Sequence, residues 1–300
     1  MTIPPDANAR VISMAGKRCR LELANGSLVD ALARGRLFKG EEGGELVVGD
    51  LVEANRLQDH WTVDKVLPRT NEFVREGLRK ERQVLFSNAE RVLILASLQQ
   101  PETKIASLDR FIVAALQGNV PPVLVLTKTD LDDGTREQEI RQTYASFDLP
   151  VFAVCNITGT GIPELAAVLQ SGISALVGNS GVGKTSLLNH LIPGLDLRVG
   201  EVSSWSGKGV HTTSSALLVP YDNESALIDT AGMKSFVPYG ITRDNLEELF
   251  PDIAQLAPEC RFRDCRHQTE PDCAVRAAAE TGVLPAERLR SYDRLLGELT

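Results

Sequence analysis

The chain has 300 residues, of which 43% are hydrophobic and 24% are charged, and we expect two or three globular domains. No apolar run reaches the ~18 residues that a membrane span requires, and the first ten residues contain no apolar signal core, so we expect a cytoplasmic protein that does not contact membranes. Five cysteines are too few for a disulfide framework, and a net charge of −8 argues against a uniformly basic, nucleic-acid-binding surface.

Residues 8–68 have the pattern of short strands separated by turns. Segments 10–15, 18–32, 45–55 and 60–68 alternate polar and apolar residues, and Asn25-Gly26 is a strong hairpin turn signal. About five strands in such a short segment predict an N-terminal β-barrel, an OB-fold, over residues 1–68. Any other small β module would fit the same periodicity.

The central segment alternates buried strands with helices. Apolar runs and helical spacing predict elements at 91–98, 107–119, 121–130, 135–147, 150–155, 162–170, 173–178 and 225–232. This alternation predicts a parallel sheet with helices on both faces, and hence an α/β domain over residues 69–240. From residue 241 to residue 300 we expect a mostly α-helical domain, broken by a cluster of Cys and His.

An apolar strand runs directly into "GNSGVGKTS" and then into a helix. The pattern G-x-x-x-x-G-K-[ST] predicts a phosphate-binding loop, in which Lys184 reaches the β- and γ-phosphates and the Thr185 hydroxyl binds Mg²⁺. The helix that follows adds the positive end of its dipole. The predicted nucleotide-binding residues here are Gly178, Asn179, Ser180, Gly181, Val182, Gly183, Lys184, Thr185 and Ser186.

The base is predicted to bind at "TKTD", which includes Thr127, Lys128 and Asp130. Asp130 can accept hydrogen bonds from the ring N–H and the exocyclic amine of guanine, whereas adenine has no such donor pair on that edge. The stem of Lys128 can lie over the base. Alone, this pattern also fits a solvated turn, but a phosphate loop in the same sheet favours a guanine site.

"IDTAGM" has the form of a strand that ends in D-x-x-G. It predicts that Asp229 lies near Mg²⁺ and that the N–H of Gly232 reaches the γ-phosphate. The segment 206–218 is rich in glycine and then in hydroxyl groups, and it predicts a mobile loop in which Thr212 or Thr213 completes the Mg²⁺ shell when GTP is bound.

A second metal is predicted near the end of the chain. Cys260, Cys265, His267 and Cys273 follow the pattern C-x4-C-x-H-x5-C, the Cys₃His set of a closed, structural zinc site. Three buried free thiols beside an unrelated histidine are the alternative. Cys19 and Cys155 lie far from this cluster in sequence and are interpreted as core or surface residues.

The guanine motif precedes the phosphate loop, which is the reverse of the usual order and indicates a circularly permuted GTPase. Together with "CNITGTGI", "GKGVHTTS" and "CRFRDCRH", the chain resembles the RsgA family of permuted GTPases that depend on the small ribosomal subunit. The resemblance implies an OB-fold, a permuted GTPase domain and a zinc domain. It also implies GTP/GDP and 16S rRNA of the 30S subunit as partners, a role in late 30S maturation, and hydrolysis stimulated by the ribosome. We expect a monomer.

The chain departs from the family pattern at several positions. Thr127 stands where asparagine is usual, which predicts a looser link to the phosphate loop, and Cys155-Asn156 replaces a Ser-Ala-like pair. Met233 occupies the position where many GTPases have a water-orienting glutamine, so intrinsic hydrolysis is expected to be slow. The resemblance suggests His211 as the catalytic group instead, although a histidine that only packs its loop or contacts RNA is the alternative.

Basic residues predict contacts with rRNA phosphates on two parts of the molecule. The candidates are Lys17, Arg18, Arg20, Arg34, Arg36 and Lys39 on the barrel, and Arg261, Arg263 and Arg266 beside the cysteines, with Phe38 and Trp61 as the available aromatic residues. Any one of these side chains would equally suit a solvated surface.

Three other functions compete with this interpretation. A phosphate-loop ATPase or kinase would leave "TKTD" unexplained. A non-enzymatic RNA-binding protein with a structural nucleotide would not need Lys184, Thr185 and Asp229 together. A permuted GTPase that acts on the large subunit would lack the barrel and the cysteine cluster.

Overall fold

The structure is a computed structural model, and it describes residues 2–34, 37, 45–58, 60–195 and 216–299. Its first five strands form a closed barrel. They are β1 (Ala9–Ala15), β2 (Arg18–Leu23), β3 (Leu28–Ala33), β4 (Leu51–Leu57) and β5 (His60–Val66). The strand order is β1-β2-β3-β5-β4, with β3 parallel to β5, and β4 pairs back to β1 to close the barrel. A five-stranded, OB-like barrel is therefore confirmed.

The barrel interior follows from the alternation of its strands. Ala9 and Val11 of β1, Leu21 of β2, Val52 of β4 and Val63 of β5 are fully buried and form one cluster. Because successive side chains of a strand point to opposite faces, every second residue enters this core. The predicted Asn25-Gly26 turn joins β2 to β3.

The central sheet contains six further strands in the order β10-β9-β8-β11-β13-β12. Their bounds are β8 (Arg91–Ser97), β9 (Pro122–Thr127), β10 (Val151–Val154), β11 (Gly172–Gly178), β12 (Leu217–Pro220) and β13 (Ser225–Asp229). All adjacent pairs are parallel except β12 with β13. At its far edge β12 pairs with β1, so the barrel and the central sheet are hydrogen-bonded to each other.

Four helices accompany this sheet among the described residues. They are α1 (Ile105–Gln117), α2 (Thr135–Thr143), α3 (Ile162–Val168) and α4 (Lys184–Leu191). The prediction of alternating strands and helices is correct, and the predicted helix over 135–147 extends four residues beyond the end of α2. The parallel sheet buries an apolar core on each of its faces.

The sequence analysis missed a two-stranded hairpin, β6 (Glu72–Glu76) and β7 (Arg82–Ser87), and it also missed β12. The hairpin has a short apolar face on which Phe73 and Phe86 stack with ring centroids 5.2 Å apart. Phe236 stacks on Phe73 from outside the hairpin. Charged residues interrupt the alternation, and the residues that complete its core come from distant parts of the chain, so the local pattern is weak.

The C-terminal part is mainly helical, as predicted. Its helices are α5 (Pro251–Leu256), α6 (Ala274–Thr281) and α7 (Ala286–Glu298), preceded by a short 3₁₀ turn, Glu247–Leu249. Phe250, Tyr292 and Leu296 are fully buried in its core, and Val113 of α1 belongs to the same cluster. The C-terminal helices therefore share a core with the central domain.

Candidate nucleotide site and metal centre

The predicted nucleotide-binding motifs meet at one edge of the central sheet. Thr127 ends β9, Val154 ends β10, Gly178 ends β11 and Asp229 ends β13. These strands run in the same direction, and their pairings place Val154 opposite Thr127 and Leu176 opposite Asp229. Because ligands of open α/β sheets bind beyond the carboxyl ends of the strands, the motifs come together although their order along the chain is inverted.

The predicted phosphate loop needs glycine where other parts of the chain approach it closely. Gly178 and Gly183 have φ of +150° and +94°, a region that favours glycine. A Cβ at Gly178 would lie 2.7 Å from the carbonyl oxygen of Leu95, and one at Gly183 would lie 3.0 Å from Nδ2 of Asn156. Helix α4 begins at Lys184, directly after the loop, so its N-terminal N–H groups and dipole face the site.

Lys184 and Asp229 are two buried charged residues at this edge, 7% and 1% exposed. The Nζ atom of Lys184 donates hydrogen bonds to the carbonyl oxygens of Gly178 and Asn179, at 2.8 and 2.9 Å. Burial lowers the pKa of Lys184 to about 8, and Asp229 partly opposes this shift. Burial raises the pKa of Asp229 to about 6, and the nearby charge of Lys184 partly opposes this shift.

Both carboxylate oxygens of Asp229 are buried, and neither has a hydrogen-bond partner within the part of the chain that the structure describes. A buried carboxylate with no partner is costly, and hard divalent cations prefer oxygen ligands. The residue therefore fits the predicted Mg²⁺ site. Thr185 and Ser186 lie half-buried in the first turn of α4. His211, Thr212 and Thr213 lie outside the described residues.

The segment after D-x-x-G is hydrogen-bonded to the phosphate loop. The N–H of Met233 donates to the carbonyl of Gly178 at 3.2 Å, and the carbonyl of Met233 accepts from the N–H of Ser180 at 3.1 Å. The Met233 side chain is buried in the same core cluster as Phe236. Gly232 approaches the same loop, because a Cβ added there would lie 3.0 Å from the Cα of Ser180.

The guanine motif forms a turn beside the loop that follows β10. Lys128 has φ of +59°, and its Nζ atom donates to the carbonyl oxygen of Gln100. Asp130 is exposed in a 3₁₀ turn (Thr129–Leu131), and the thiol of Cys155 donates to its Oδ1 atom at 3.2 Å. Cys155 is a buried residue, in agreement with its interpretation as part of the core, and its side chain also contacts the predicted base-recognising carboxylate.

Two side chains join these base loops to the phosphate loop. The Thr127 hydroxyl donates to the carbonyl of Val182 at 2.7 Å, and Nδ2 of Asn156 donates to the carbonyl of Gly183 at 3.3 Å. Thr127 thus retains a side-chain hydrogen bond to the phosphate loop. The contact of Asn156 was not predicted from the sequence, because it joins residues that are 27 positions apart.

The Cys₃His residues converge, with their ligand atoms all within 4.8 Å of one another. Sγ of Cys260 lies 3.8 Å from Sγ of Cys273, and the two sulfurs lie 3.6 and 3.4 Å from Nδ1 of His267. Zn–S bonds of ~2.3 Å and Zn–N bonds of ~2.0 Å arranged tetrahedrally require edges of roughly 3.5–3.8 Å, so these atoms fit zinc.

The surroundings of the cluster also suit a bound cation. Burial and the neighbouring thiols raise the pKa of Cys265 to about 12, and a bound cation would favour the thiolate form. Nε2 of His267 lies 3.0 Å from a carboxylate oxygen of Glu247, which leaves Nδ1 to face the sulfurs. Sequence analysis missed Glu247, since it lies 20 residues before His267 and no spacing rule connects the two.

The loop that carries the cysteines is organised by Glu270, which sequence analysis also missed. Burial would raise the pKa of Glu270, but its carboxylate accepts from the N–H groups of Arg266, Gln268 and Thr269, and the balance lowers that pKa to about 2. A carboxylate that accepts several backbone hydrogen bonds is stabilised in its charged form.

Among the described residues, the predicted rRNA-binding side chains do not form one free basic surface. Lys17, Arg18 and Arg20 are exposed on the barrel, and Arg34 forms an ion pair with Asp64 at 2.8 Å. Arg261 and Arg266, beside the cysteines, each have an acidic partner at 2.8 Å, whereas Arg263 is exposed. Trp61 is half-buried. Arg36, Phe38 and Lys39 lie outside the described residues.

None of the described helices is both long enough and apolar enough to cross a membrane. A family model described as RsgA GTPase matches residues 66–237. The protein "Small ribosomal subunit biogenesis GTPase RsgA" of Azotobacter vinelandii is 35% identical over 98% of this chain and 86% of its own length. The protein of the same name from Chlorobaculum parvum is 37% identical over 78% of this chain and 75% of its own length.

Two solved structures are similar over nearly the whole chain. YjeQ from Thermotoga maritima has a TM-score of 0.75 at 29% identity, and the match covers 98% of each chain. YloQ, described as a circularly permuted GTPase, has a TM-score of 0.72 at 25% identity and covers 97% of this chain and 94% of its own. The permuted order of the motifs is thus shared with solved relatives.

Proposed function

This chain belongs to the RsgA GTPase family, and on that premise we propose that it hydrolyses GTP as a late maturation factor of the small ribosomal subunit. The 30S subunit stimulates hydrolysis, and the nucleotide state controls binding to and release from 16S rRNA. The protein acts as a cytoplasmic monomer. Its parts are an OB-fold that binds RNA (1–68), a permuted GTPase domain (69–240) and a zinc domain (241–300).

The observation that carries this proposal is that the guanine motif and the phosphate-binding motifs lie at the same edge of the sheet. Asp130 and Lys128 bind guanine at one end of this edge, and the loop of residues 178–186 binds the phosphates at the other. The direct hydrogen bond from Thr127 to Val182, at 2.7 Å, supports one continuous site rather than two separate ones. A nucleotide that spans this site contacts both ends.

The phosphates are bound by the backbone N–H groups of the loop and by Lys184, whose Nζ atom exchanges its carbonyl partners for β- and γ-phosphate oxygens. Mg²⁺, when bound with GTP, would supply positive charge beside the phosphates. Thr185, Asp229 and either Thr212 or Thr213 would hold it, and the partnerless carboxylate of Asp229 supports this assignment. The N–H of Gly232 binds the γ-phosphate.

Water activation is the weak step of this site. The Met233 side chain is buried and has no polar group with which to orient the attacking water, so intrinsic hydrolysis is slow. We assign this role to His211 when the ribosome orders its loop. The variant His211→Ala is expected to keep GDP affinity and to lose most of the stimulated turnover. Unchanged stimulated turnover in this variant would remove the assignment.

Turnover assays with purified subunits test the proposal. GTP hydrolysis is measured alone, with 30S and with 50S subunits, and ATP is added as a competitor of labelled GTP. We expect stimulation by 30S only and no competition by ATP. Lys184→Ala serves as the inactive control. No turnover with 30S subunits would favour an RNA-binding protein with a structural nucleotide, and effective competition by ATP would favour an ATPase.

A further inference from the structure

We propose that Asn156 is a positioning residue of the nucleotide site, which together with Thr127 joins the guanine loops to the phosphate loop. The inference rests on the proposed function and deepens it. Neither side chain is assigned a contact with the reacting phosphate. Their role is to fix the distance between the base end and the phosphate end of a single nucleotide.

The geometry of the two bonds carries the inference. Their acceptors are the carbonyls of Val182 and Gly183, which are consecutive residues at the end of the phosphate loop. Their donors come from different loops, because Thr127 ends β9 and Asn156 follows β10. The phosphate loop is thus held from both base loops just before α4 begins.

The packing around Gly183 shows how closely these segments approach. A Cβ on this glycine would lie 3.0 Å from Nδ2 of Asn156 and 4.0 Å from the hydroxyl of Thr127. The carbonyl of Gly183 also accepts the N–H of Leu187 at 2.9 Å, the first-turn hydrogen bond of α4. Asn156 therefore bonds to the same backbone group that anchors the start of the helix.

The amide oxygen of Asn156 also bears on this role. Its Oδ1 atom is buried and has no hydrogen-bond partner among the described residues. The bond to Gly183 is the one hydrogen bond that this side chain makes among the described residues. A small residue at 156, as in the usual Ser-Ala-like pair, would lack this bond.

The two donors differ in their chemistry. Thr127 carries a single hydroxyl donor on a short side chain. Asn156 supplies an amide donor from the neighbouring loop. A preorganised site binds more tightly because less conformational freedom is lost on binding. We expect the loss of either bond to weaken GDP binding about fivefold to tenfold, the equivalent of one hydrogen bond.

The test measures the GDP dissociation constants of the full-length chain and its variants. Asn156→Ala and Thr127→Val each remove one bond, and each is expected to weaken binding fivefold to tenfold. The exchange variant Thr127→Asn/Asn156→Ala moves the amide to position 127 and is expected to bind GDP within about threefold of the unsubstituted chain. The ratio of GDP to IDP affinity should stay constant, since Asp130, which reads the exocyclic amine, is intact.

Rescue by the exchange variant separates positioning from general support of the fold. If Asn156→Ala binds GDP normally while Lys184→Ala does not, the inference is wrong and the proposed function stands. If Asn156→Ala weakens binding and the exchange variant does not restore it, the inference is also wrong. If the unsubstituted chain neither binds GDP nor hydrolyses GTP with 30S subunits, the proposed function itself fails.

Discussion

Burial shifts the pKa values of two residues of the nucleotide site, Lys184 and Asp229, away from their ordinary values. Lys184 would lose its charge more easily than an exposed lysine, and Asp229 would keep its proton more easily than an exposed aspartate. A phosphate group and a divalent cation each restore the charged form of one of these residues. Ligand binding and ionisation are therefore coupled at this site.

Proton uptake on binding follows from the depressed pKa of Lys184, about 8 in the free chain. Bound phosphates raise this pKa, so affinity for GDP is fully present below pH 8 and falls as the pH rises above it. At pH 8 we expect an uptake of about half a proton per GDP without Mg²⁺. Calorimetry in two buffers of different ionisation enthalpy measures this number, and zero uptake would contradict the shift.

Cys155 contacts Asp130, the carboxylate that is predicted to recognise the base. Its Sγ atom lies 3.2 Å from Oδ1 of Asp130, and it also accepts the N–H of Thr158 at 3.4 Å. Cys155→Ala should reduce the GDP-to-IDP affinity ratio severalfold, because the Asp130 carboxylate is then less well oriented. Cys155→Ser replaces the thiol donor with a hydroxyl donor and is the matched control. Its GDP-to-IDP affinity ratio is expected to be at or above that of the unsubstituted chain.

At the scale of elements, the sites are built from connections rather than from helices or strands. Each predicted nucleotide motif begins where a parallel strand ends, and the strands fix its position. The cysteine loop lies between α5 and α6, and it depends on Glu270 within the loop and on Glu247 in the 3₁₀ turn before α5. Rigid elements thus position short loops whose own hydrogen bonds complete the geometry.

Glu247 sets the orientation of the predicted zinc ligand His267. Its carboxylate oxygen lies 3.0 Å from Nε2, so Nε2 donates and Nδ1 stays available for metal. Glu247→Gln is expected to weaken zinc binding by about 10- to 100-fold, measured by competition with a chromophoric chelator. Glu248→Gln, in the same turn, is the control and should bind zinc normally. Equal affinities for both variants would contradict this role.

For the molecule as a whole, the C-terminal helices are joined to the central domain through a buried arginine. Arg288 of α7, 1% exposed, donates to both carboxylate oxygens of Asp252 at 2.7 and 2.9 Å and to the buried carboxylate of Asp109 in α1. The guanidinium also lies 4.6 Å from the ring centroid of Phe250. These contacts connect the predicted zinc domain to α1 of the central domain.

Removal of Arg288 is expected to destabilise the whole chain. Arg288→Met leaves two buried carboxylates without their cation and should cost about 3–5 kcal/mol of unfolding free energy at pH 7. Burial already raises the pKa of Asp109, and Arg288 opposes that shift. Without the arginine, the pKa of folded Asp109 rises further above its value in the unfolded chain, so the loss grows as pH rises and shrinks as pH falls.

Urea denaturation of Arg288→Met at pH 7 and pH 5 measures this effect. The triple variant Arg288→Met/Asp109→Asn/Asp252→Asn removes the charges together and should recover part of the lost stability at pH 7. A loss that is equal at both pH values would show that the cost comes from packing rather than from unpaired charge.

Prediction from sequence was confirmed for the barrel strands, whose alternation is a local property. The residues of the predicted phosphate loop and of the Cys₃His cluster also lie together in the structure. The sequence did not predict the β6–β7 hairpin, the contact of Cys155 with Asp130 or the contact of Glu247 with His267. Phe236 packs on the core of the hairpin, the thiol of Cys155 contacts Asp130 in another loop, and the carboxylate of Glu247 contacts His267. These contacts join residues that no local period relates.

The order of amino acids specifies which groups are available to bind a nucleotide and a metal, and it indicates the inverted order of the motifs. The folded chain was needed to show how the two base loops connect to the phosphate loop and how the C-terminal helices attach to the sheet. The reason is physical. A motif records the donors and acceptors of one short segment, whereas a hydrogen bond between segments depends on where the packed strands place their ends.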